Sequence, residues 1–119
     1  MKTVPVTIKI TSTNNGVKAT VDPFVVVIDL GDEVQWKLES DYDEASVTIE
    51  KKNSSAHWPF VNAPPKDIKK GNSKKSGKTK PAAKKQNRYN IQCRVMDGTT
   101  PIDFPIDPDI IIIGGAIDS

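Results

Sequence analysis

An all-β antiparallel sandwich is the fold class predicted by this chain of 119 residues, and three observations point to it. Apolar and polar residues alternate in several short segments, the period of a strand with one buried face. Clusters of Gly, Pro and Asn punctuate those segments as turns. No stretch carries a sustained helical period.

Val4, Val6, Ile8 and Ile10 alternate with Thr3, Pro5, Thr7 and Lys9, which predicts a first strand. Asn14-Asn15-Gly16 follows as a turn able to take positive φ. Phe24, Val26, Ile28 and Leu30 can share one face of the next strand. Gly31-Asp32 then turns the chain, and Val34, Trp36 and Leu38 alternate against Glu33, Gln35, Lys37 and Glu39, so the two segments read as a hairpin. Val47 and Ile49 predict a short strand after the acidic turn Asp41 to Glu44. Tyr89, Ile91, Cys93 and Val95 fall on one face, opposite Arg88, Asn90, Gln92 and Arg94. The last strand, Ile110 to Ile113, is apolar on both faces. It is expected to be covered on both, one by the core and the other by a loop or a second subunit, which makes a homodimer through this C-terminal strand a candidate assembly.

The length fits one domain spanning 1–119, able to bury roughly two thirds of the surface its unfolded chain exposes. Within it, residues 62–87 hold no aromatic and almost no large apolar side chain, so they are expected to form a long, flexible, lysine-rich loop insertion. The net charge of +2 conceals a segregation: acidic residues dominate from Asp22 to Glu50, basic ones from Lys66 to Arg88. Cys93 is the single cysteine and can form no internal disulfide. No apolar run is long enough to span a bilayer and none follows Met1 as a signal would, so the expectation is a soluble, cytoplasmic protein.

Two blocks carry a family resemblance: Val21 to Trp36, ending Gly31-Asp32-Glu33-Val34-Gln35-Trp36, and Tyr89-Asn90-Ile91-Gln92-Cys93. Together they resemble the cupredoxins, the plastocyanin and azurin type. The resemblance implies a Greek-key sandwich of seven or eight strands, a copper held by two histidines and a cysteine, and electron transfer. The carry-over stops at the ligands. Ser46 stands about where the first histidine would, Arg94-Val95-Met96-Asp97-Gly98 lacks the second, and Met96 lies too close to Cys93 in sequence to serve as axial ligand. Cys93 is thus a vestigial ligand position, expected to be a small buried hydrophobe. His57, in Ala56-His57-Trp58-Pro59-Phe60, lies far downstream of the expected ligand and reads as a loop residue.

Other chemistry is sparse. Asp41, Asp43 and Glu44 lack EF-hand spacing. Ser/His/Asp catalysis would have only His57 as its base, with no nucleophile elbow. No Gly-rich phosphate loop opens a helix. The expectation is therefore a non-catalytic, metal-free binding or interaction module without a cofactor, acting on an unidentified protein partner. The alternative is an electrostatic, sequence-independent binder of nucleic acid or acidic lipid. Its candidate anion-binding residues are Lys66, Lys69, Lys70, Lys74, Lys75, Lys78, Lys80, Lys84, Lys85 and Arg88. The segment has no aromatic stacking platform, and its lysines lack the planar fork with which Arg reads bases. Copper electron transfer ranks below both readings.

Overall fold

The computed structural model of this chain describes residues 1–117, which form ten strands and no helix. β1 (Thr3–Thr13) and β2 (Gly16–Asp22) make a hairpin closed at Asn14-Asn15, with Gly16 at φ 121°. β4 (Glu33–Ser40) lies parallel to β1 on its other side, and β7 (Ser73–Lys75) completes a first sheet in the order β2-β1-β4-β7. The second sheet runs β3 (Val25–Asp29), β10 (Asp109–Ile113), β8 (Gln86–Asp97), β5 (Ala45–Lys51) and β6 (Ile68–Lys69). β9 (Thr100–Ile106) returns along β8, beside the stretch that β10 leaves free. The pairings β1–β4 and β3–β10 are parallel and the rest antiparallel, so this Greek-key sandwich has mixed sheets.

The core is the meeting of the inward faces that the alternation marks. Val6, Ile8 and Ile10 of β1 and Val34, Trp36 and Leu38 of β4 are fully buried from the first sheet. Val47 and Ile49, Tyr89 to Val95 at every second residue, Ile110 and Ile112 close from the second. Trp36 lies at the centre, stacked on Trp58 with ring centroids 6.2 Å apart and edge-on to Tyr89 at 5.9 Å. Rings in these geometries contribute about 0.5–1.5 kcal/mol per pair beyond their burial.

Two expectations are corrected. First, β3 and β4 are not a hairpin. The chain turns at Gly31, φ 99°, and changes sheet, so Val26 and Ile28 face Val34, Trp36 and Leu38 across the core. The corner is held by Asp32, whose carboxylate accepts the Lys2 N–H at 2.9 Å and the Asp29 N–H at 3.1 Å. Those bonds, the Lys2 one foremost, hold its carboxyl below the usual range. Phe24 and Leu30 flank the strand ends and are 49% and 41% exposed.

Second, residues 62–87 do contribute to the core and to both sheets. Ile68 is fully buried, Ala83, Ser76 and Thr79 nearly so, and β6 and β7 pair with β5 and β4. Composition weighs large apolar side chains, but this segment is tied down by backbone bonds to strand edges and by small buried groups. The Ser76 hydroxyl accepts the Val34 N–H at 2.9 Å and donates to the Gly77 carbonyl at 2.7 Å.

Within one chain the core covers one face of β10, with Ile110 and Ile112 fully buried, while Ile111 is half-buried and Ile113 is 55% exposed on the face expected to meet a loop or a second subunit. β10 is not an edge, because β3 and β8 flank it.

Candidate functional site

The ligand positions of the resemblance lie on β5 and β8, where register decides which side chains can meet. Cys93 pairs with Val47 and points into the core, where it is 2% exposed. Ser46 pairs with Arg94 on one side and Lys69 on the other, so it belongs to the opposite, outer face. Met96 has the same parity as Arg94 and also faces outward, half-buried. The Cys93 thiol touches the Ile91 carbonyl at 3.8 Å, and burial pushes its pKa up to about 12. A protonated thiol turned away from Ser46 and Met96 does not fit a copper centre. His57 is exposed on the loop between β5 and β6, next to the buried Trp58. Among the described residues no group of three or more His, Cys, Asp or Glu could hold a metal ion.

The basic side chains do not form one arm. Lys69 lies on β6 and Lys70 just beyond it, at one edge of the second sheet, with the Lys70 ammonium on the Tyr42 carbonyl at 2.6 Å. Lys74 and Lys75 lie on β7, at the edge of the first sheet. Lys74 donates to the Lys66 carbonyl at 2.7 Å, and Lys75 stands 3.7 Å from the buried carboxylate of Glu33. Lys78 and Lys80 flank Thr79, which bridges to Phe60. Lys84 bridges to Ala116, Lys85 stands beside Ile111 and Ile117, and Arg88 on β8 lies 3.8 Å from Asp109.

Two features were not singled out from sequence. One is a groove of about 630 Å³ on the outer face of the second sheet, where Lys69, Lys70 and Arg94 meet Ser46, Asp43 and Glu44. The parity of Arg94 against Cys93 is the signal that could have found it. The other is the free edge of β3. Phe24 accepts the Asp109 N–H and Leu30 donates to the Ile113 carbonyl, so the even-numbered residues face β10. By alternation, Val25 and Val27 turn their N–H and C=O groups away from it, to a side where no strand pairs among the described residues. Their side chains are 45% and 53% exposed and lie beside Asp109 and Ile111 of β10, their partners in the parallel register.

The arrangement of strands matches solved structures. A purple cupredoxin from Nitrosopumilus maritimus superposes with a TM-score of 0.53 at 9% identity, covering 92% of this chain and 99% of that one. The fold is cupredoxin-like. An amicyanin variant in its reduced copper form matches with a TM-score of 0.43 at 12% identity, over 90% of this chain and 82% of that one. A copper nitrite reductase from Nitrosomonas europaea gives a TM-score of 0.43 at 22% identity, with 98% of this chain lying on 42% of that one. No protein-family model and no curated protein matches the sequence. In this cupredoxin-like frame the Gly31-to-Trp36 block leads into and forms β4 while Tyr89 to Cys93 lies on β8, and the chain lacks the copper-ligand histidines.

Proposed function

We propose that this cupredoxin-like domain is a non-catalytic, metal-free interaction module that associates with a second copy of itself along β3. The observation that carries the reading is the open edge of Val25 and Val27. Sheet edges are commonly blunted by Pro or charge. β9, whose edge beyond the β3–β10 pair is also open, carries Pro101, Asp103 and Pro105. β3 has neither device between Val25 and Ile28.

The edge is self-complementary. Two copies related by a twofold axis through Val26 place Val25 of each opposite Val27 of the other, so that the N–H and C=O groups of both residues are satisfied by one antiparallel ladder. Asp29 does not extend it, because its N–H and C=O are already bonded to Asp32. The four valines would then form one apolar stripe, flanked by Ile111 of each copy. This keeps the C-terminal strand in the interface by its face, while the pairing itself passes to β3.

The polyanion reading has less support, because Lys70, Lys74 and Lys75 are engaged locally and the cations are dispersed over both sheets. Sedimentation velocity over a concentration series tests the proposal. A dimer is expected, converted to monomer by Val25→Lys with Val27→Lys, both at exposed side chains. A monomer at millimolar concentration would overturn it.

A further inference from the structure

We propose that the groove over Ser46 binds a small phosphomonoester that carries a positively charged amine. The site goes beyond the self-association through β3 and lies on other strands. Its floor is a row set by register: Lys69 on β6, Ser46 on β5 and Arg94 on β8 are direct neighbours across three strands. At a strand spacing of about 4.8 Å, the two cationic residues flank Ser46 with their backbones about 10 Å apart. Lys69 reaches over the hydroxyl from one flank, while Arg94, bound to Asp103 on β9 through Nε and one Nη, offers its remaining Nη from the other.

Donors are available there. Arg94 engages Asp103 through Nε at 2.8 Å and one Nη at 3.3 Å, leaving its other Nη without a protein partner among the described residues. The Lys69 ammonium, the Ser46 hydroxyl and the Asn72 side-chain amide, all lining the groove, likewise have none among those residues. The Lys69 cation, the remaining Arg94 Nη and two neutral donors suit the tetrahedral head of a phosphomonoester, the Arg94 charge being shared with Asp103.

The rest of the lining selects the body of the ligand. The half-buried Met96 supplies an apolar side chain, and Asp43 and Glu44 stand in the same groove. Those carboxylates repel a plain polyanion and favour an ammonium group beside the phosphate, so a zwitterion matches both signs where nucleic acid does not.

Calorimetric titration of the intact chain at low salt with O-phosphoethanolamine, inorganic phosphate and ethanolamine tests this. Saturable one-site binding of the aminophosphate is expected, about fivefold or more tighter than phosphate, with no binding of ethanolamine. Lys69→Ala and Arg94→Gln should each weaken the aminophosphate about tenfold, the scale of one charge-assisted bond. Asp43→Asn with Glu44→Gln should remove its advantage over phosphate. If Arg94→Gln fails to fold, the exposed Lys69→Ala decides. No saturable binding, equal binding of both anions, or affinity unmoved by Lys69→Ala would each overturn the proposal.

Discussion

Trp36 Nε1 donates a hydrogen bond of 3.1 Å to Tyr89 Oη across the sandwich, joining β4 of the first sheet to β8 of the second. Both side chains are buried, so each satisfies the polar atom that the other would leave stranded. Tyr89→Phe should therefore cost about 1–3 kcal/mol by orphaning the indole N–H. Trp36→Ala should cost about 3–5 kcal/mol by emptying the centre of the core. Urea unfolding followed by fluorescence measures both, and near-neutral values would mean that the two sheets do not meet at this pair.

Alkaline stability follows from the same burial. The Cys93 thiol is raised from 9.0 to about 12, and the Tyr89 phenol is raised well above its ordinary 10.0, both mainly by desolvation. A group whose folded pKa lies above its unfolded value stabilises fully below the unfolded pKa and loses that contribution as pH rises towards the folded one. The urea midpoint should accordingly hold steady to about pH 9 and fall above it, less steeply in Cys93→Ala. Native Cys93 should react slowly with a thiol reagent at neutral pH and quickly in denaturant.

Copper offers a direct check on the parity of β5 and β8. Because Cys93 faces the core while Ser46 faces outward, adding Cu(II) should produce no intense visible thiolate-to-copper band. Absorption spectroscopy on the native protein and on Cys93→Ser reads this, and a strong band lost only in the variant would contradict the placement of Cys93.

The lysine-rich stretch should prove structural. Ile68→Ala is expected to cost about 2–5 kcal/mol as a large-to-small core change. Ser76→Ala should cost about 1–3 kcal/mol by leaving the Val34 N–H unpaired. Replacing residues 66–85 by a Gly/Ser linker should prevent folding. Cooperative unfolding of the deleted chain at wild-type stability would restore the loop reading.

Most of the core was legible in the sequence because a strand repeats every two residues, so Val6, Ile8 and Ile10, or Tyr89, Ile91 and Cys93, declare an inward face without reference to any partner. The paired blocks around Trp36 and Cys93 likewise pointed to the cupredoxin-like sandwich. What alternation cannot supply is the partner of each strand. It marks β3 and β4 as strands but does not say whether Gly31 returns the chain within a sheet or carries it to the other one; the Asp32 bond to Lys2, at the distant start of the chain before β1, belongs to that corner. The lysine-rich stretch was misread for a related reason. Its order rests on backbone pairing to β4 and β5 and on small buried groups such as Ser76, which composition does not count. The groove of Lys69, Ser46 and Arg94 belongs wholly to tertiary structure: the three residues come from separate parts of the chain, and only the register of β6, β5 and β8 sets them side by side.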